Sequence, residues 1–197
     1  MKENNIYEMK VSRTLQLIKD TFIQLLNETS FEKITVRDLT SKAQLSRGTF
    51  YLHYLDKYDL MEKIQNELLE GLQAKLRAVQ IAEAMEYDQQ NKPYPPMIKV
   101  FDYMREQGDL LKVLLGPEGD SNFFRKLKKS LKIGVFERMP TEYVYLENVS
   151  IPSRFVSAFS ISALLGVMEE WLENDMVQSS EEMALLYFKI KFIALKM

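Results

Sequence analysis

At 197 residues without a cysteine, the chain is long enough for one large domain or two modest ones, and it has no disulfide framework or thiolate metal site. A formal net charge of −2 argues against a protein that binds nucleic acid over its whole surface. With a single histidine, a catalytic triad or metal centre would have to be built from carboxylates, so no enzyme activity, metal or cofactor is expected. The charge is unevenly spread: residues 1–57 carry nine Lys or Arg against seven Asp or Glu, and the remainder 17 against 21. A mildly basic N-terminal module on an acidic body suits localised DNA binding. The opening MKENNIYEMK lacks the apolar stretch of a secretory signal, so a cytoplasmic protein is expected.

Val11, Leu15, Ile18, Phe22 and Leu25 recur at steps of four and three, which predicts an amphipathic helix over about residues 8–28. Thr35 and Asp38 are spaced as a capping box with Asp for Glu, so a second helix should start at Val36, bury Leu39 and Ala43, and end near residues 42–44. Ser46 is a good N-cap for a third helix over about 47–53. Asp56 caps a fourth, whose Leu60, Ile64, Leu68, Leu72 and Leu76 keep one face apolar and which is predicted to reach about Met85. Residues 87–96, with three prolines, read as a connector. Helices resume over 97–107 and 109–115, break at 116–120, and return over 122–138. The YVYL core of residues 140–151 has strand character but no partner, and reads as loop. Pro152 suits the first turn of a helix to about Asn174, and Ser179 with Glu182 caps the last. The longest apolar run, residues 155–168, falls short of the about 20 residues that span a bilayer, so no membrane contact is expected. The expected fold class is all-α with about nine helices, divided into residues 1–56 and 57–197.

Residues 34–57, ITVRDLTSKAQLSRGTFYLHYLDK, place two short helices around a tight joint, the layout of a helix-turn-helix whose second helix lies in a DNA major groove. Phe50 and Tyr54, four apart, form the anchoring face, with Leu45 ahead of them. Arg47 is long enough to fork onto guanine, and the Thr49 methyl can meet a thymine methyl. Gly48, after the Ser46 cap, presents bare backbone where a helix could approach a phosphate; in an inert helix it costs about 1 kcal/mol. Tyr51 and His53 carry donors of the right reach for phosphate oxygens. Lys57 adds its charge to the amides of a helix start, an anion site. Thr35 and Arg37 stand where the second helix would abut the backbone.

In these residues the chain resembles the TetR family of bacterial transcriptional regulators. Members carry a pattern that here reads Thr35, Leu39, Ala43, Leu45, Ser46, Gly48, Thr49, Phe50, Tyr51, His53, Tyr54 and Lys57, over roughly the first third of the chain. The resemblance implies base readout by Arg37, Arg47 and Thr49, and phosphate contacts by Thr35, Tyr51, His53 and Lys57. Residues 114–127 (LLGPEGDSNFFRKL), 163–176 (ALLGVMEEWLENDM) and 179–184 (SSEEMA) look like blocks of one C-terminal type in the family. That type includes activators of dihydroxyacetone kinase operons, which work through a protein partner.

In the body, Met97, Phe101, Tyr103, Met104, Phe123 and Tyr143 either line a ligand cavity or fill a core, and the sequence leaves both open. Small residues along the penultimate helix, among them Ala163 and Gly166, allow close helix approach. Phe159, Ala163, Gly166, Val167, Trp171, Tyr187 and Ile190 are the residues expected at a four-helix dimer seam. The basic cluster Arg125, Lys126, Lys128, Lys129 and Lys132 reads as a solvated helix face. The expected function is a homodimeric transcriptional regulator, of repressor type, that binds double-stranded DNA at a pseudo-palindromic operator and answers to a small-molecule effector or a protein co-regulator. The alternatives are a TetR-like DNA binder in chromosome or division control, and a co-regulator governed by a protein partner.

Overall fold

The structure is a computed structural model that describes residues 2–116, 121–133, 143–146 and 149–196. Ten α-helices appear among the described residues: α1 (Lys2–Glu28), α2 (Val36–Lys42), α3 (Arg47–Tyr51), α4 (Lys57–Leu76), α5 (Ile81–Gln89), α6 (Pro95–Glu106), α7 (Gly108–Leu115), α8 (Ser121–Leu131), α9 (Ser153–Glu173) and α10 (Ser180–Lys196). The expected all-α class holds, apart from one short hairpin. The chain divides into two compact units, Met1–Glu67 and Leu68–Met197, the division falling within α4.

In the first unit the predicted stripe sinks progressively inward along α1. Val11 and Leu15 are half-buried, whereas Ile18, Phe22 and Leu25 are core residues. The helix begins at Lys2 rather than residue 8; its added turns carry the exposed Ile6 and Tyr7. Ile34, Leu39, Ala43, Phe50, Tyr54, Leu60 and Ile64 complete this core from α2, α3, α4 and the turns between them.

The second unit departs from expectation in three places. The long fourth helix does not reach Met85: α4 stops at Leu76 and α5 starts afresh at Ile81. The cause is Tyr94, buried among the helices. Its hydroxyl accepts from the Gln80 N–H (3.1 Å) and donates to Glu83 Oε2 (2.9 Å), fixing Gln80 in an extended conformation. The connector is shorter than expected, because α5 continues to Gln89 and α6 already starts at Pro95, prolines being tolerated in a first helical turn. The YVYL segment is not loop: β1 (Tyr143–Leu146) pairs antiparallel with β2 (Val149–Pro152), in the register Tyr143 to Pro152. Its partner lies so close in sequence that a tight hairpin supplies the ladder an isolated strand lacks. The predicted helical residues 134–138 lie outside the described residues, as do residues 117–120 of the break expected over 116–120.

Helix α9 buries Val156, Ser160, Leu164, Leu165, Met168, Trp171 and Leu172. By length and composition it could cross a membrane, but half of its apolar window is buried within the protein. Its Trp171 meets Phe101 of α6 edge to face at 5.5 Å, and Phe101 in turn meets Tyr187 of α10 at 6.5 Å. The Trp171 indole N–H donates to the carbonyl of Gln178 (3.1 Å), and the Arg105 guanidinium covers the same ring while donating to the carbonyls of Met176 and Gln178. These bonds hold the α9–α10 turn, where Asp175 and Met176 both adopt left-handed φ values of 53° and 52°.

Candidate nucleic-acid interface

The joint between α2 and α3 is built from backbone. The Ala43 N–H donates to Leu39, the Gln44 N–H to Ser41 (3.2 Å) and the Leu45 N–H to Thr40 (2.9 Å), which closes α2 with a Schellman motif. Gln44 takes the left-handed position at φ 55°, where glycine is usual. At the other end of α2 the capping box forms as expected. The Asp38 N–H donates to Thr35 Oγ1 (3.2 Å), and the Thr35 N–H and hydroxyl both donate to Asp38 Oδ2 (3.0 and 2.6 Å). The side-chain and backbone donors of Thr35 hold the Asp38 carboxyl below its ordinary range.

Ser46 caps α3, accepting from the Thr49 N–H (2.9 Å) and sharing a hydrogen bond with the Thr49 hydroxyl (2.8 Å). Phe50 is fully buried, its ring 5.5 Å from that of Tyr54, so these two bolt the helix down as their spacing predicts. The opposite side is open to solvent: Arg47 and Gly48 are exposed, and Tyr51 is 56% exposed. Helix α3 is two residues shorter than expected; at its end the N–H groups of His53 and Tyr54 both donate to Phe50 (3.0 Å each) and the chain turns toward α4. A Cβ added at Gly48 would meet only Ser46 Oγ, at an ordinary 3.6 Å, so nothing in the described structure demands glycine there.

Asp56 caps α4 by accepting from the N–H groups of Tyr58 and Asp59 (2.8 Å each). Asp59 reaches back to accept from the Leu55 N–H (2.9 Å) and pairs with Lys63, and these two donors, the backbone one first, lower its carboxyl. Lys57 is more occupied than its sequence position suggests. Its ammonium donates to the carbonyls of Phe31 and Glu32 (2.9 Å each) and lies over the Phe31 ring. Thr35 and Arg37 are exposed, and His53 is half-buried. The fold also exposes Leu52 and Leu55, each 80% accessible, beside α3. The sequence pattern singles out neither, since neither falls on the face defined by Phe50 and Tyr54.

The remaining predicted residues separate into interior and surface. Met97, Phe101, Met104 and Phe123 are all buried, and the side chain of Tyr143 lies outside the described residues. Phe159 and Ile190 are exposed, Gly166 is open, and Ala163 and Val167 are half-buried. Trp171 and Tyr187, expected at a subunit seam, belong instead to the chain's own core, because Phe101 and the Gln178 carbonyl supply their partners from within. Among the described residues there is no cluster of three or more His, Asp or Glu suited to a metal ion.

Comparison with known proteins agrees with this geometry. Residues 19–64 match the model for bacterial regulatory proteins of the tetR family, and residues 91–190, half the chain, match that for the transcriptional regulator C-terminal region. A stretch of 55 residues is 34% identical to the uncharacterized HTH-type transcriptional regulator YxbF of Bacillus subtilis, covering 28% of this chain and 14% of that protein. The chain thus spans only a small part of the relative it matches. Among solved structures, a TetR transcriptional regulator from Streptococcus agalactiae superposes with a TM-score of 0.63 at 23% identity, over 95% of this chain and 98% of that one. The dihydroxyacetone kinase operon activator DhaS gives 0.60 at 16%, over 93% and 96%. The SmeT–triclosan complex gives 0.61 at 14%, over 92% and 91%. A capped, outward-facing recognition helix within the tetR-family region, and a body matched over half the chain, lead to one conclusion: this protein belongs to the TetR family of DNA-binding transcriptional regulators.

Proposed function

We propose that the chain acts as a homodimer that reads a pseudo-palindromic operator and represses transcription from the cytoplasm, under the control of an effector. The observation that carries the reading is α3 itself, a short helix capped by Ser46, bolted by Phe50 and Tyr54, and open on the side that carries Arg47 and Tyr51. In this reading Arg47, Arg37 and the Thr49 methyl read bases, while Thr35, Tyr51, His53 and the remaining Lys57 donor hold phosphates. Ser46 and Gly48 set how closely the backbone approaches.

The second copy is supported by an exposed apolar stripe on α9 and α10. Phe155, Phe159, Leu186 and Ile190 are between 44% and 59% exposed. A Cβ at Gly166 would meet nothing in the protomer, so the missing side chain leaves room for something outside it. A two-fold pairing would present two recognition helices to a pseudo-palindrome whose half-sites lie about 34–36 Å apart, one turn of the duplex. Helix α4 starts in the DNA-binding head and ends in the body, and we assign it the transmission of the effector's signal. The effector must favour one of two states to act at all. A small molecule is supported by the triclosan complex of the structurally similar SmeT, and a protein partner remains its counterpart in this role.

The test is selection of random duplexes by the purified protein, followed by titration of the selected site with Arg47→Ala. A loss of about 1–3 kcal/mol with relaxed preference at one position is expected. Unchanged affinity and selectivity would refute the assignment.

A further inference from the structure

In sequence the lysines of α8 read as a solvated face. The fold adds two things. Arg125, Lys128, Lys129 and Lys132 line one wall of a cavity of about 340 Å³, and Arg154, from the first turn of α9, lines it from a different helix. Ser157, Ala158 and Ile161 complete the lining, the last two giving the cleft an apolar surface. Five basic side chains therefore line a concave site within a unit that is acidic overall.

Nothing in the described structure neutralises them. The ion pairs among described residues join Lys19 to Glu67, Lys42 to Glu28, Lys63 to Asp59 and Lys112 to Asp175, all elsewhere. Arg125 donates to the neutral Asn122 amide oxygen, and the Arg154 guanidinium lies over the Phe155 ring. Like charges on one cleft repel one another, and an anion among them would form charge-assisted hydrogen bonds. The first-turn amides of α9 add partial positive charge beside Arg154.

We propose that this cleft binds a small soluble organic phosphate, its phosphate held by the α8 lysines and Arg154 and its apolar body resting on Ala158 and Ile161. The cavity volume falls at the lower end of the about 300–1,000 Å³ typical of ligand sites. A duplex is the poorer fit, because its phosphates need cations set out along a ridge and make no use of an apolar floor. The site lies apart from the buried Met97, Phe101 and Met104 and does not depend on the operator reading.

The full-length protein would be titrated with 1-naphthyl phosphate, followed by its fluorescence and by calorimetry, with 1-naphthol as the uncharged counterpart and inorganic phosphate as competitor. Saturable binding of one molecule per chain is expected, competed by inorganic phosphate and at least about tenfold weaker for naphthol. Two variants should each weaken it by at least about tenfold for different reasons: Lys128→Gln with Lys132→Gln removes charge, and Ala158→Phe fills the cleft. Lys189→Gln, which removes an exposed charge on α10, should bind as wild type. Three results would overturn the proposal: no saturable binding at millimolar probe, full affinity in Ala158→Phe, or displacement of the probe by a random-sequence duplex.

Discussion

Lys57 and Phe31 are joined across the head: the ammonium donates to the Phe31 carbonyl at 2.9 Å and sits 4.6 Å from the centroid of its ring. A second bond, to the Glu32 carbonyl, ties the start of α4 to the turn that precedes α2. Lys57 is therefore a strut of the DNA-binding unit whatever else it contacts. Lys57→Gln should lower unfolding stability by about 2–4 kcal/mol, the sum of a lost charged hydrogen bond and a partly solvated cation–π contact. Urea unfolding checks this. An unchanged midpoint would mean that the lysine serves DNA alone.

Gly48 separates folding from binding. Because a Cβ there meets only Ser46 Oγ at 3.6 Å, Gly48→Ala should be neutral or stabilise the protein by up to about 1 kcal/mol. Operator affinity should nevertheless fall, since the added methyl holds the helix away from the phosphate backbone. Thermal unfolding and a binding titration on the same preparation test both halves, and equal affinity would show that the glycine has no role at the DNA.

Gly71 is the opposite case. A Cβ built there would overlap the hydroxyl end of the Tyr103 ring, whose hydroxyl donates to the Leu68 carbonyl of α4 (3.2 Å). An aromatic ring cannot bend aside as a flexible chain can, so Gly71→Ala should destabilise by about 1–3 kcal/mol despite alanine's higher helix propensity. The double variant with Tyr103→Leu should recover most of the loss.

The capping box gives a pH signature. Because Asp38 titrates below its ordinary value of 3.8 when folded, its contribution is present above that value and fades as the pH falls through the lowered one. Asp38→Asn should therefore unfold more easily than wild type near neutrality, with the difference shrinking as both are acidified below the carboxylate range. Denaturation curves at a series of pH values measure this directly. A gap that stays constant would place the aspartate's effect outside the ionised cap.

What could be read in the sequence follows from how local each cause is. Thr35, Ser46 and Asp56 start helices as expected because a cap acts over three residues, and the Leu60 to Leu76 stripe is buried because its spacing is itself the signal. The break at residues 77–80 was invisible: it holds no proline or glycine, and the Tyr94 hydroxyl that enforces it arrives from 14 residues downstream. Lys57 is a similar case, its carbonyl partners lying 25 and 26 residues upstream. Trp171 and Tyr187 read as interface residues because an amphipathic pattern gives an apolar face without naming its neighbour. The α8 cations were visible in sequence, but the cleft they line needed Arg154 brought in from another helix.

The turn at Gln44 has one more implication. The angle between α2 and α3 is clamped by the carbonyls of Thr40 and Ser41, main-chain groups that every residue type possesses. Side chains that face outward, such as Arg37, Arg47 and Tyr51, take no part in that clamp, so they can be exchanged while the frame stays put. Retargeting this protein to a new site, by evolution or by engineering, is a matter of changing the teeth and leaving the jaw alone.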